Sequence, residues 1–210
     1  MVTKLDLKKE LKYLYNPSVK AIEEVELPEF NFAMVKGFVP AGVKVAEASE
    51  FVEALTALYG ISYTLKFAVK QRKVEPVDYP VMALEGLWWV DGDAFEFGKL
   101  QEQNFNVMIL QPEVVTAEMF AETLEQLKKK KPSPGLEKLR FEPFCEGRSV
   151  QVLHLGPYSE EGPTIERMKD YMKERNLVRN GHHHEIYMGD PRRVAPEKLK
   201  TILRQPVKQS

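Results

Sequence analysis

The chain has 210 residues, of which 43% are hydrophobic, so it can bury a sizeable core as one large domain or two fused halves. Its 30 basic and 31 acidic residues leave a formal net charge of -1, which provides no overall field for attracting nucleic acid or an anionic membrane. No apolar run is long enough to cross a membrane, and the N-terminus lacks the apolar core of a signal peptide. We therefore expect a cytoplasmic protein that binds neither nucleic acid directly nor membranes.

The first half of the chain alternates helical and extended patterns. These patterns predict, in chain order, a helix over residues 5–15, a strand over 30–39, a helix over 46–59 ended by Gly60, a helix over 63–70, a strand pair over 79–90 and 104–110, and a helix capped by Thr116. A polar stretch over 91–103 separates the paired strands. Lysines 128–131 in the last turn of the capped helix complement the helix dipole, which favours a solvated helix end over a nucleic-acid site.

The second half repeats this order after a Pro- and Gly-containing linker. It predicts a strand over 149–155, a helix over 163–176, and strands over 182–188 and 199–205. We therefore predict an α+β fold in which duplicated strand-helix-strand-strand units form a pseudo-twofold antiparallel sheet platform, with helices on one face and a central ligand groove. Within this single domain we expect an N-terminal helix and lead-in at 1–28, a first repeat with a connecting helix at 29–131, and a second repeat at 132–210.

Two polar residues on the strand over 182–188 are the main candidates for chemistry. Side chains alternate along a strand, so Glu185 and Tyr187 share one face, about 7 Å apart, while His184 and Ile186 share the other. If the first face lines an apolar groove, desolvation raises the pKa of Glu185 and makes it a plausible general base or partner for a ligand cation. A solvent-facing Glu185, or one paired with a nearby arginine, is the alternative.

Metal and thiol chemistry have little support. Adjacent strand residues point in opposite directions, so only His182 and His184 of the three consecutive histidines could converge, and no third ligand is recognisable nearby. The single cysteine, Cys145, has no evident local base and is expected to be a small core or strand-edge residue. We predict no metal and no cofactor.

Aromatic residues favour a flat, apolar or cationic ligand. Trp88 and Trp89 are successive strand residues, so one indole belongs to each face, and ordinary core packing explains them equally well. With the tyrosines they suggest a cage of aromatic faces. The predicted ligand-binding residues are Trp88, Trp89, Tyr158, Tyr63 and Met108, beside the predicted catalytic residues Glu185 and Tyr187.

Four segments of the sequence look like the stand-alone branch of the GyrI-like small-molecule-binding family. They are DLKKELKYLYNPS, ALYGISYTLKF, VMALEGLWW and, most specifically, HHEIYMGDPRRVAPEKLKTILRQPV. The resemblance runs over nearly the whole chain. It implies the duplicated fold and a central groove with a buried glutamate, which corresponds here to Glu185 of HEIYMGDP.

The resemblance also implies a function. Relatives of this kind include effector-binding domains of multidrug-responsive regulators, a gyrase-inhibitory protein, and cyclopropanoid cyclopropyl hydrolases that hold DNA-alkylating compounds in an aromatic cage. The DNA-binding module of the regulators is absent from this sequence. We expect binding of a bulky xenobiotic small molecule, with hydrolysis of cyclopropanoids (xenobiotic detoxification) and non-catalytic multidrug sequestration as nearly equal alternatives. A gyrase-binding interaction protein ranks well behind both.

Overall fold

The computed structural model describes residues 1–92 and 100–210, so the middle of the polar stretch predicted over 91–103 lies outside the described residues. The strands are β1 (Thr3–Lys4), β2 (Glu23–Val39), β3 (Val77–Asp78), β4 (Leu84–Trp89), β5 (Gln103–Leu110), β6 (Arg140–Leu155), β7 (Leu177–Arg179), β8 (His183–Tyr187) and β9 (Lys200–Gln209). The α-helices are α1 (Leu7–Glu10), α2 (Lys12–Tyr15), α3 (Ser49–Lys70), α4 (Ala117–Lys130), α5 (Pro134–Glu137) and α6 (Gly162–Glu174). The predicted α+β class with antiparallel strand pairing is confirmed.

The helix α3 differs from the sequence prediction. Gly60 was expected to end a first helix. Instead, α3 runs through Gly60 and is 22 residues long in total. An interior glycine costs a helix only about 1 kcal/mol relative to alanine. Burial of Leu58, Ile61 and Leu65 on either side of Gly60 offsets that cost, because each of these side chains is completely buried.

Two compact units make up the chain. The first comprises residues Met1–Glu10, Phe30–Met82 and Leu100–Phe144. In it β2 pairs antiparallel with β5 from Phe32↔Leu110 to Val39↔Gln103, and the buried side of α3 packs on β5, α4 and α5. Thr116 caps α4 as predicted, accepting a hydrogen bond from the backbone N–H of Met119 at 3.3 Å.

The second unit comprises residues Leu11–Glu29, 83–92 and Cys145–Ser210. Its antiparallel strands run in the order β4, β8, β9, β6, and β7 pairs with the end of β9. The apolar core of this unit consists of Val150, Val152, Met168, Met172, Leu177, Leu203 and Val207. Because β8 lies between β4 and β9, both of its edges are hydrogen bonded and its side chains are held in a defined register.

The predicted strands lie at the right positions but differ in length from the observed ones. The strands predicted at 79–90 and 182–188 shorten to Leu84–Trp89 and His183–Tyr187. The structure lengthens the predicted strand at 30–39 to Glu23–Val39 and the one at 149–155 to Arg140–Leu155. In chain order the elements β2-α3-β4-β5 are followed by β6-α6-β8-β9, with the three-residue β7 before β8. The boundaries proposed at 1–28, 29–131 and 132–210 stay a prediction. Among the described residues, no helix has the length and apolar character needed to cross a membrane.

Candidate functional site

The strand β8 displays two sets of side chains, as its alternation predicts. His184 and Ile186 are fully buried, whereas Glu185 and Tyr187 are only partly buried on the other side of the pleat. The neighbouring strand β4 places Gly86 opposite Glu185. We call the side that carries Glu185 and Tyr187 the carboxyl face, and the side that carries His184 the histidine face.

Trp88 and Glu185 are the polar neighbours of Tyr187 on the carboxyl face. Trp88 Nε1 donates to the Tyr187 hydroxyl oxygen at 3.0 Å. Burial, followed by the charge of Glu185, holds the pKa of Tyr187 well above its usual value, so this phenol stays protonated. The Tyr158 ring meets the Tyr187 ring edge to face, with centroids 5.6 Å apart.

Gly86 makes room for this arrangement. A Cβ atom at residue 86 would lie 2.7 Å from Trp88 Nε1 and 3.4 Å from the Tyr187 hydroxyl, closer than the indole could tolerate without moving. The absence of a side chain on β4 opposite Glu185 therefore lets the Trp88 indole reach Tyr187.

A second carboxyl group, not singled out from the sequence, lies beside Glu185. Glu161 immediately precedes α6 and is only 2% exposed. Burial, reinforced by the charge of Glu185 and partly opposed by contact with the Thr201 hydroxyl, raises the pKa of Glu161 to about 9. At neutral pH Glu161 is therefore a protonated acid next to Glu185.

The buried polar atoms of this site are incompletely bonded. Within the described residues, Glu161 Oε1 and Thr201 Oγ1 are buried without a well-aligned hydrogen bond. Such atoms normally find a partner in a folded protein, and a ligand or a water molecule would supply one. Nε2 of His183 lies 3.5 Å from Glu185 Oε1, at charge-contact distance. The two arginines near Glu185 in the sequence, Arg192 and Arg193, both pair with Asp190.

The histidine face is packed with partners. His184 Nδ1 lies 2.9 Å from Glu146 Oε1, and its Nε2 lies 3.1 Å from Glu85 Oε2 as an ion-pair contact whose alignment falls short of a hydrogen bond. Arg204 Nη1 lies 3.4 Å from Glu146 Oε2, and the Tyr15 hydroxyl donates to Glu85 Oε1 at 2.7 Å. Burial alone would lower the pKa of His184, but Glu146 and then Glu85 raise it to about 9.

The remaining predicted residues have other neighbours. Trp89 stacks on the His182 ring at a centroid distance of 4.2 Å. Tyr63 belongs to the first unit, where it is exposed on α3 and stacks on Tyr59, and Met108 is completely buried in the same unit on β5. The roles of Trp89, Tyr63 and Met108 in ligand binding stay predictions.

Cys145 lies exposed on β6. The described part of the chain contains no group of three or more His, Cys, Asp or Glu side chains placed to hold a metal ion.

Glu161 is not recognisable from the sequence as a site residue, because the local pattern around it indicates only the start of a helix. The residue precedes Gly162-Pro163, and proline in the first turn of a helix is an ordinary N-terminal signal. An acidic residue there suggests favourable contact with the helix dipole. Only the proximity to Glu185, which is 24 residues away in the sequence, makes it chemically unusual.

Comparison with known proteins agrees with this fold. Residues 20–208 match the GyrI-like small molecule binding domain. An uncharacterized conserved protein from Listeria innocua is 37% identical, with a TM-score of 0.86 over 97% of this chain and 100% of that one. Two structures described as hydrolases from Listeria innocua are 37% and 36% identical, with TM-scores of 0.81 and 0.85 over 97% and 98% of this chain and 100% of each of theirs.

None of the curated proteins compared with the chain matches it. The family match begins three residues before β2, ends at residue 208 within β9, and includes all the residues of the carboxyl face. The chain belongs to the GyrI-like small-molecule-binding domain family.

Proposed function

We propose that this protein binds bulky apolar or cationic xenobiotics against the aromatic residues of the carboxyl face and hydrolyses cyclopropanoid DNA-alkylating compounds by ring opening. The observation that carries the proposal is the pair Glu161 and Glu185, in which Glu161 keeps its proton at neutral pH because it is buried and because Glu185 lies beside it. A protonated carboxyl group beside a second carboxyl group can supply an acid and a base to one reaction. The hydrolase descriptions of two similar structures are in accord with this activity.

The chemistry requires only water. A cyclopropane ring conjugated to a dienone is electrophilic, and its opening moves an electron pair to the dienone carbonyl oxygen. Glu185 removes a proton from water as the water oxygen bonds to the ring carbon and the strained C–C bond breaks. Glu161 donates its proton to the carbonyl oxygen, where negative charge accumulates. The product is the ligand plus one water, and proton transfer through solvent restores the two carboxyl groups.

The aromatic residues position the reactants. Tyr187 is a positioning residue beside Glu185, because its protonated hydroxyl shares the carboxyl face with that residue and is oriented by the indole N–H of Trp88. Tyr158 supplies an adjoining aromatic face, which suits a flat or cationic ligand. A non-catalytic sequestering module would use the same aromatic surface without turnover.

The decisive experiment is mass analysis of a cyclopropanoid incubated with the protein. Wild-type protein should convert it to a product heavier by one water. Glu185→Gln should abolish this conversion and retain binding, and Glu161→Gln should slow it by about 100-fold or more, because an amide cannot donate the proton. Ligand binding to each variant is followed by quenching of tryptophan fluorescence.

Glu160→Gln is the matched control, since Glu160 is the exposed neighbour of Glu161 and should leave turnover unchanged. A ligand recovered intact after binding to wild-type protein would identify a sequestering module. Unchanged turnover in Glu185→Gln would refute the assigned base.

A further inference from the structure

His154 contacts both ends of the turn that leads into α6. The residue lies on β6 and is buried. Its Nδ1 lies 3.0 Å from Thr164 Oγ1, and its Nε2 lies 3.4 Å from the backbone oxygen of Pro157. We call residues 156–164 the entry segment. One buried ring therefore contacts this segment near its beginning and at its end.

The two contacts of His154 fit one form of its ring. A backbone carbonyl oxygen only accepts hydrogen bonds, so Nε2 has to carry the hydrogen in the contact with Pro157. Nδ1 of the neutral ring is then an acceptor, and the Thr164 hydroxyl donates to it. The ring thus connects a backbone group on one side of the entry segment to a side chain on the other.

Two residues of the carboxyl face lie between these contacts. Tyr158 directly follows Pro157, and Glu161 lies between Tyr158 and Thr164. The stretch is compact, since the N–H of Glu161 donates to Tyr158 O at 3.2 Å and the N–H of Thr164 donates to Glu161 O at 2.9 Å. Any displacement of Thr164 would therefore move the backbone of Glu161 with it.

Gly156 lets the chain turn close to the ring. Its φ of 128° lies in the region that favours glycine, and a Cβ atom there would lie 3.4 Å from His154 Nε2. The Gly156 N–H donates to Leu199 O at 3.0 Å, which attaches the start of the entry segment to the residue before β9. The start of the segment is thus held by the backbone as well as by the ring.

The side chain of Glu161 has few restraints of its own. It makes no capping hydrogen bond to α6, and among the described residues its Oε1 is buried without a well-aligned partner. Its place beside Glu185 therefore depends on the backbone that carries it. A proton donor has to lie within a fraction of an ångström of its working position, so the support of this backbone matters for the reaction.

We propose that His154 is a positioning residue, which through Pro157 and Thr164 holds the entry segment so that Glu161 lies beside Glu185. The expected effect on turnover rests on the proposed function, whereas the placement of Glu161 is measurable without turnover. All of these residues belong to the second unit.

The first test removes the hydroxyl that His154 contacts. Thr164→Val keeps the volume of the side chain and the imidazole ring. It should lower kcat for a cyclopropanoid by about 10-fold with a smaller change in KM, because it misplaces the proton donor and leaves most of the aromatic surface unchanged. Thr64→Val is the matched control, since Thr64 is half-buried on α3, its hydroxyl donates to Gly60 O at 2.7 Å, and turnover should be unchanged.

Replacements of His154 separate positioning from packing. His154→Leu should lower kcat at least as much as Thr164→Val, and the double variant should lose no more than His154→Leu, because both changes break the same contact. His154→Asn retains a polar atom near the position of Nδ1 and should recover most of the loss. A wild-type kcat in either single variant, or losses that multiply in the double variant, would overturn the proposal.

The pH dependence of stability tests the placement of Glu161 without any substrate. The charge of Glu185 contributes to the raised pKa of Glu161, so a displaced Glu161 should lose part of the dependence of unfolding on pH. The comparison uses Thr164→Val, which keeps the His154 ring, in urea denaturation from pH 5 to pH 9. A wild-type slope in this variant would overturn the positioning. A reduced slope, with the cyclopropanoid recovered intact from wild-type protein, would support the positioning and refute the hydrolysis.

Discussion

The two faces of β8 carry the same kinds of side chain in opposite electrostatic situations. On the histidine face, two carboxyl groups, Glu85 and Glu146, are interleaved with two basic groups, His184 and Arg204. On the carboxyl face, Glu161 lies beside Glu185, and among the described residues these two carboxyl groups share no fully buried cation. All six side chains belong to the second unit, and neighbouring residues of one strand separate the two sets.

The difference lies in what burial does when charges are matched or unmatched. Burial alone would raise the pKa of Glu146, but His184 and then Arg204 lower it below its usual value. For Glu161, burial and the charge of Glu185 act together, and its pKa rises to about 9. Matched charges hold a structure in place, whereas unmatched ones leave a proton available for transfer near neutral pH.

Removal of a partner from the histidine face should have the largest effect on stability. Arg204 is 1% exposed and also donates from Nη2 to Leu14 O at 2.9 Å and to Gln151 Oε1 at 3.0 Å. Arg204→Met leaves Glu146 with less compensation in a buried site, and we expect a loss of about 3–5 kcal/mol in the free energy of unfolding. Urea denaturation measures this loss. Arg192→Met, which removes an exposed partner of Asp190, should change stability little.

The raised pKa of Glu161 on the carboxyl face should make the free energy of unfolding depend on pH. The ordinary pKa of a glutamate is 4.5, and that of folded Glu161 is about 9, so between these values the folded state retains a proton that the unfolded state has lost. Stability contributed by Glu161 is complete below about pH 4.5 and falls as the pH rises toward 9. Glu161→Gln removes this dependence and should stabilise the protein at pH 8 by about 5 kcal/mol, since each pH unit above 4.5 costs about 1.4 kcal/mol.

The measurement compares urea denaturation of wild-type and Glu161→Gln proteins from pH 5 to pH 9. Glu160→Gln serves as the control, because Glu160 is exposed and should leave the wild-type slope in place. His184 on the other face also loses its contribution as the pH rises through about 9, since its pKa is raised from 6.5, and that component should persist in both variants. Equal slopes for wild type and Glu161→Gln would contradict the raised pKa of Glu161.

Two tyrosines provide the smallest and most closely matched comparison. Tyr15 donates to a buried carboxylate on the histidine face, and Tyr187 accepts from the Trp88 indole on the carboxyl face. Replacement by phenylalanine should cost about 2 kcal/mol at Tyr15 and about 1 kcal/mol at Tyr187, because hydrogen bonds to charged groups are the stronger kind. Thermal unfolding ranks the two variants. A larger loss at Tyr187 would reverse our view of which face carries the stability.

Much of the fold was accessible from sequence because it depends on local patterns. The Thr116 cap and the extended patterns that predict strands at β4, β5, β8 and β9 each depend on a few neighbouring residues, and the strand-helix-strand-strand order follows from reading these patterns along the chain. Gly60 misled the prediction for the same reason. Its local preference ends helices, and only the burial of the residues on both sides explains why α3 continues.

The period of two residues along a strand is enough to place Glu185 and Tyr187 on one side of β8 and His184 and Ile186 on the other. What each side contacts depends on the packing of distant segments. That packing places Glu85, Glu146 and Arg204 around His184 and brings Glu161 to Glu185, although these residues come from separate parts of the chain. Electrostatic environment depends on distances through space, so alternation could predict the pair but not the proton that Glu161 holds beside it.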